Sequence, residues 1–298
     1  MTQANICLKT QENKFINIIF TIMTNIENQY RSLIGELLEA PFKSDRTGTG
    51  TYSLFGKTLE HDMSAGFPLL LSKKVSFKAA KGELLWILHG RTDLKFLHEF
   101  GIKYWDPDYE RSGRTDGTLG PVYGKQWRNF NGVDQLQRLI EGIKTRPESR
   151  RLMVSAWNPS ELHQMALPPC HYGFQVYINE GKLDLMWQQR SADVFLGLPY
   201  DIAMYGLLLH MLAKGANLKP GRLVAQLGDC HLYANHIDQA KELLSRDIEV
   251  SVYPFVAIEG NGLSLDKHRD VVIPHHWQIH LENYEPLPAI AAPLSVGK

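Results

Sequence analysis

One stretch, Pro168 to Ala213, does most to limit the folds open to this chain. Cys170 stands behind Pro168 and Pro169 and ahead of His171. A strand-like run follows from Tyr172 to Ile178, then a second from Lys182 to Gln188, then an apolar run of helical spacing from Asp201 to Ala213. Two prolines stiffen the approach to Cys170, so one side chain is presented at a fixed place. The same criteria predict helices over Ile26 to Leu38, Lys78 to Leu88, Val133 to Ile143 and Leu232 to Leu244. They predict strands over Thr51 to Leu59, Leu152 to Ala156 and Arg222 to Leu227. Strands and helices do not alternate regularly, which makes the class α+β. Asp106 to Gly120, rich in glycine and charge, is expected to be loop. With no repeat, low-complexity tract or linker, one domain is expected.

At 298 residues and 44% hydrophobic positions, the chain can bury a full core. Lys plus Arg and Asp plus Glu are 32 each, so no global basic field draws nucleic acid or an anionic membrane. Any anion must be held locally. Cys7, Cys170 and Cys230 are too few and scattered for a disulfide framework, which fits a reducing, cytoplasmic setting. The apolar run Phe15 to Met23 has signal-peptide size, but no small-residue cleavage site follows it, and it is too short to span a bilayer.

Taken singly, the chemistry-bearing residues have bland readings. A cysteine in an apolar segment is usually inert, although nearby guanidinium groups would lower its pKa and raise its thiolate fraction. Glu83, ahead of apolar Leu84 to Leu88, sits either at a helix's exposed edge or in a site that raises its pKa. Trp105 and Tyr200 read as core aromatics, and Asp201 suits a helix N-cap. Cys230, His231 and His236 cluster, but their spacing fits no zinc pattern and adjacent ligands on a strand point apart; no metal is expected.

The blocks taken together say more. DRTGTGT at Asp45 to Thr51, ELLW at Glu83 to Trp86, GPVYGKQWR at Gly120 to Arg128, SRR at Ser149 to Arg151, PPCH at Pro168 to His171, QRSADVFLGLPYDI from Gln189 and GDCHLYANH at Gly228 to His236 lie in one order. In that order they closely resemble thymidylate synthase and its pyrimidine hydroxymethylase relatives, from about residue 24 to about residue 296. Because the resemblance begins just after Met23, the domain is placed over residues 23–298, after an extension of residues 1–22. The resemblance implies a large mixed β-sheet packed with helices, paired sheet to sheet as a homodimer, and 5,10-methylenetetrahydrofolate as cosubstrate. It implies that Cys170 attacks C6 of a pyrimidine nucleotide, making C5 nucleophilic, while Glu83 and Tyr123 handle protons. Arg46, Arg190 and Ser191 would hold the phosphate, joined by Arg150 and Arg151 from the partner subunit, because guanidinium forks match phosphate oxygens. Gln189 belongs to the nucleotide side, His231 and Tyr233 would hold the sugar 3′-hydroxyl, and Asn235 would support the polar network. On the folate side the resemblance places Trp105, which also serves the chemistry, with Leu167, Asp193, Gly197 and Tyr200. Ala292 to Val296 would fold over the bound folate, with Val296 extended here by Gly297 and Lys298.

Asp201 is the departure. Ordinary members carry asparagine there, whose amide complements N3–H and O4 of uracil. A carboxyl group accepts instead from the exocyclic amine of cytosine, and a proton shared with N3 completes a second hydrogen bond. The expectation is therefore dCMP as substrate and 5-methyl-dCMP as product. The alternatives are hydroxymethylation of dCMP, ordinary thymidylate synthesis on dUMP, and a catalytically idle nucleotide- or RNA-binding regulator, against which intact Cys170, Glu83 and Arg190 argue.

Overall fold

The computed structural model describes residues 25–248 and 252–295. The extension over residues 1–22, Cys7 and the tail residues Val296 to Lys298 lie outside the described residues.

Helices begin where side chains can satisfy the first free amides. Asn25 caps α1 (Ile26–Leu38), Ser76 caps α2 (Phe77–Leu88), Asp93 caps α3 (Leu94–Glu99), and Asp134 caps α6 (Gln135–Thr145). Between them, α4 (Asp106–Arg111) and α5 (Tyr123–Arg128) are short. Helix α4 falls inside the stretch read as loop. Pro107 in its first turn and acidic Asp106 and Asp108 favour a helix start, a signal that the glycines after it obscure.

A six-stranded mixed sheet runs in the order β1 (Phe42–Lys43), β2 (Thr51–Asp62), β6 (Lys219–Tyr233), β5 (Lys182–Asp193), β4 (His171–Asn179), β3 (Met153–Ser155). All neighbours are antiparallel except β5 and β6, which are parallel and joined by α7 (Leu198–Gly215). Strands β4 and β5 meet at Glu180 and Gly181, both with positive φ (50° and 74°). This two-residue turn matches the strands' twist.

Strand β6 runs on through Tyr233, and the next helix, α8, spans only Ile237–Ser245. The predicted helix from Leu232 therefore starts too early. Cys230 to Leu232 are buried in the sheet, so their apolarity belongs to strand pairing rather than to a helical face. The chain closes with β7 (Phe255–Ile258), β8 (Ser264–Leu265), β9 (Val271–Val272) and β10 (Ile279–Glu282), forming two small ladders.

Trp187, Leu185 and Leu183 of β5, Leu223 and Ala225 of β6 and Phe174 of β4 turn to one face of the sheet, where α7 covers them. Helix α7 is apolar almost all round, as a helix packed between the sheet and α2 must be. Trp187 lies flat on Tyr205 of α7, centroids 5.0 Å apart and planes 8° apart. Phe55, Met153, Tyr172 and Tyr177 remain exposed on the sheet strands.

One end of the sheet concentrates the chemistry. Strands β5 and β6 end there, α7 begins there, and the antiparallel strands β2 and β4 start there. Asp193 pairs with His231, His171 with Gln189, and Ser53 with His231. The carboxyl ends of parallel strands beside a helix N-terminus are a general place for a ligand cleft.

Candidate active site

Cys170 precedes β4. Its backbone N–H donates to the Tyr123 hydroxyl at 2.9 Å and its carbonyl accepts from the Arg190 N–H at 2.8 Å. The Arg190 guanidinium donates to the carbonyls of Pro169 and Pro168, both at 2.9 Å. The two prolines and the arginine thus fix the loop that carries the thiol. The guanidinium pull expected on the thiol is present, but desolvation outweighs it. Burial pushes Cys170 up to about 11; Arg190 and Arg46 pull it down, and Asp201 and Asp108 push it up, but desolvation is largest.

Tyr123 is buried, with its ring stacked on His171 at 4.3 Å, and burial raises its hydroxyl well above the ordinary value. It is therefore a neutral hydroxyl beside the cysteine. His171 shares a 2.8 Å hydrogen bond with the Tyr205 hydroxyl, and burial lowers its pKa to about 3, so the ring is neutral.

Glu83 lies on α2. Trp105 Nε1 donates to its Oε1 at 2.7 Å and the Tyr104 hydroxyl to its Oε2 at 2.6 Å. Burial raises its carboxyl, and the two hydrogen bonds oppose that rise. The site reading is thus the one its geometry favours over an exposed helix edge. Sequence reasoning missed Tyr104, which gives no periodic signal ahead of Trp105. Its ring also meets Tyr200 at 6.1 Å.

Asp201 sits in the first turn of α7 but does not cap it. Gly197 holds the N-cap position, and the Asp201 N–H donates to the Gly197 carbonyl at 3.2 Å. The Asp201 carboxyl instead accepts from Gln189 Nε2 at 2.9 Å. Trp187 Nε1 donates to Gln189 Oε1 at 3.1 Å. Because an indole N–H is only a donor, it fixes which end of the Gln189 amide is oxygen, and the amino end must face Asp201 and the Ser191 carbonyl, 3.1 Å away. Burial pushes the Asp201 carboxyl up to about 8; the Gln189 bond opposes this, and Glu83 and Asp193 add to it. Burial thus favours the neutral carboxylic acid over the carboxylate.

Beside these lies a hollow of about 360 Å³ lined by Arg46, Arg190, Ser191, His231 and Tyr233, among others. The DRTGTGT loop shapes one wall. Asp45 accepts from the Thr47 hydroxyl and from the Gly50 N–H at 2.9 Å. Gly50 has φ +78°, and a Cβ there would stand 2.4 Å from the Phe42 ring, so both conformation and space require glycine. His231 Nδ1 lies 3.2 Å from Asp229 Oδ1, which orients the ring, and Lys43 pairs with the same carboxylate at 3.3 Å.

Arg150 and Arg151 do not line this hollow. Both are exposed in the turn between α6 and β3, and Arg151 lines a different depression with Arg138 and Arg146.

On the remaining side stand buried Trp105 and half-buried Leu167 and Tyr200, an apolar wall suited to a flat ring system. Asp193 Oδ1 accepts the N–H groups of Phe195 and Leu196, both at 3.1 Å. A Cβ on Gly197 would meet the Asp193 carbonyl at 3.3 Å, so this glycine serves a close turn within the chain. Asn235 exchanges hydrogen bonds with Ser295 (3.2 and 3.3 Å), and His236 Nε2 lies 2.7 Å from the Pro293 carbonyl. These contacts hold the C-terminal segment against the end of the sheet. Among the described residues no group of three or more His, Cys, Asp or Glu side chains could hold a metal ion, and no helix is long and apolar enough to cross a membrane.

Comparison with known proteins agrees with this geometry. A family model described as thymidylate synthase matches residues 28–296. A protein of Escherichia phage T5 named probable thymidylate synthase is 45% identical over 289 residues, covering 90% of this chain and 99% of that protein.

Proposed function

We propose that this chain, which belongs to the thymidylate synthase family, transfers a one-carbon unit to C5 of dCMP and forms 5-methyl-dCMP. Family membership gives the coarser statement: a folate-dependent one-carbon transfer to a pyrimidine, with 5,10-methylenetetrahydrofolate as cosubstrate. The observation that carries the finer one is the Asp201 carboxyl, which is not spent on capping α7 and is held by Gln189.

A buried carboxylic acid offers one donor and one acceptor. Toward cytosine, its O–H donates to N3 and its other oxygen accepts from the exocyclic amine, so the shared proton that recognition needs is supplied by burial. As C6 is attacked, electron density builds toward N3, and an acid there stabilises it. Cys170 is the nucleophile. Its high pKa in the free site means that the thiolate must form as substrate is engaged, and a phosphate ordering Arg190 and Arg46 would bring their charge to bear. Glu83, desolvated by burial and held by two neutral donors, is poised to take the C5 proton. The Tyr123 hydroxyl stands by as a neutral donor. Trp105, Leu167, Asp193, Gly197 and Tyr200, with Val296 of the tail, would hold the folate, which would supply the one-carbon unit and, for a methyl product, the hydride.

Two arginines outside the local hollow, together with exposed Phe55, Met153, Tyr172 and Tyr177 on the sheet strands, support a sheet-to-sheet homodimer in which Arg150 and Arg151 reach the partner's phosphate. Residues 23–298 then form the catalytic domain, with the cytoplasm as its setting.

A second reading has its own support. A neutral carboxyl can also rotate its proton toward O4 and accept from N3–H of uracil, as an amide does, and the phage T5 relative is named probable thymidylate synthase. Incubation with dCMP or dUMP and 5,10-methylenetetrahydrofolate, with products resolved by mass and dihydrofolate followed by absorbance, separates these readings and identifies a hydroxymethyl product. Turnover of neither nucleotide would leave the idle regulator.

A further inference from the structure

We infer that Tyr104 is a positioning residue for Glu83, whose hydroxyl, with the Trp105 indole, keeps that carboxyl aimed and ionisable inside the site. This rests on the reading of Glu83 as the group that takes the C5 proton.

The geometry is specific. Tyr104 and Trp105 are consecutive, yet their donors reach different oxygens of one carboxyl group, Oε2 at 2.6 Å and Oε1 at 2.7 Å. A carboxyl held at both oxygens can neither swing nor rotate without breaking a hydrogen bond. Helix α2 supplies Glu83, and the segment before α4 supplies both donors, so the pair also ties two elements together. The Tyr104 ring is braced against Tyr200 at 6.1 Å, and the Trp105 ring against Trp86 at 6.4 Å and Tyr123 at 6.0 Å.

The two donors differ in kind. An indole N–H only donates, whereas a phenol can also accept and can relay a proton. Burial and the neighbouring Glu83 raise the Tyr104 hydroxyl well above its ordinary value, so it stays a neutral donor through the working range. Donation to a carboxyl stabilises the ionised form, which is the form a base needs, and opposes the desolvation that would otherwise hold the proton on Glu83.

Tyr104→Phe keeps the ring and removes only the donor. The low-pH limb of kcat/KM should move to higher pH by about one unit, and kcat at neutral pH should fall roughly tenfold, with nucleotide KM changed less than about twofold. The lost rate should return as pH rises. Incorporation of 3-fluorotyrosine at position 104, isosteric and a stronger donor, should move the limb the other way. This second variant keeps the test decisive if the phenylalanine variant melts early. Glu83→Gln serves as the reference. If it retains ordinary turnover, the reading of Glu83 falls and the inference falls with it. If Glu83→Gln is inactive while both Tyr104 variants titrate like wild type, the inference alone is overturned.

Discussion

Gln189 Nε2 donates to the Asp201 carboxyl across 2.9 Å, and Trp187, donating to the other end of the same amide, leaves Gln189 only one way to face. Three side chains from β5 and α7 therefore set which Asp201 oxygen accepts before any base arrives. Oδ2 is that acceptor, so Oδ1 is favoured to carry the proton of the neutral acid. On the proposed reading, base specificity rests on preorganised donors and acceptors rather than on pocket size.

Trp187→Phe should loosen that arrangement. The flat stack on Tyr205 is kept in part, but Gln189 Oε1 loses its donor, and the Ser191 carbonyl is left to hold the amino end toward Asp201. Discrimination between dCMP and dUMP should shrink by about threefold to tenfold, at a stability cost of about 1–3 kcal/mol from the trimmed ring and the unpaired Gln189 oxygen. Competition assays and thermal melts check the two parts separately.

Cys170→Ser should lose turnover by orders of magnitude while nucleotide still binds, because a serine hydroxyl is too weak a nucleophile to form the proposed C6 adduct. In the unmodified enzyme, alkylation by iodoacetamide should keep accelerating with pH toward about 11, since burial holds the thiol there. Arg190→Lys keeps the charge but loses the fork on Pro168 and Pro169, so alkylation at pH 8 should change less than in Arg190→Gln, which removes the attraction that lowers the thiol pKa. A thiol titrating near 7 in the free enzyme would contradict the burial argument.

How much of this the sequence discloses follows from where each interaction lies along the chain. Helix α1 was legible because Ile26, Tyr30, Leu33, Ile34 and Leu37 recur at helical spacing and are all buried. Strands β4 and β5 were legible from apolar runs broken at Glu180 and Gly181. Strand β6 was cut short and its end assigned to a helix, since buried Cys230 and Leu232 are apolar for the sheet's sake. The residues around the hollow could be named from their motifs, but Tyr104 could not, because its partner is 21 residues away on another element. For Cys170 the sequence discloses the arginines that pull its pKa down but not the larger desolvation that opposes them.

Subunit exchange tests the assembly. Arg150 and Arg151 lie outside the hollow lined by Arg46 and Arg190, so in the proposed dimer they would serve the partner's phosphate. Equal amounts of inactive Cys170→Ser and inactive Arg151→Ala subunits, once exchanged, should place about a quarter of sites free of either lesion, with activity restored in that proportion. No recovery after exchange verified by mass would mean that each site is built within one chain.

Asp201→Asn carries the substrate question. The change is nearly isosteric, so the fold should survive, while the acid proton that cytosine N3 needs is replaced by an amide that suits uracil, amino group toward O4 and oxygen toward N3–H, once it turns away from the Gln189 contact. Relative kcat/KM should shift toward dUMP by on the order of tenfold to a thousandfold. The pH dependence separates base reading from indirect damage. Because burial raises the Asp201 pKa from 3.8 to about 8, the neutral acid is present below that value and lost above it. Activity of the wild type on dCMP should fall as pH rises through about 8, and Asp201→Asn should lack that limb. The sign for stability agrees: the wild type gains relative to the variant at low pH, most fully below 3.8, and loses that gain as pH rises through about 8. A wild type that already prefers dUMP, together with an alkaline limb unchanged in Asp201→Asn, would return the enzyme to ordinary thymidylate synthesis.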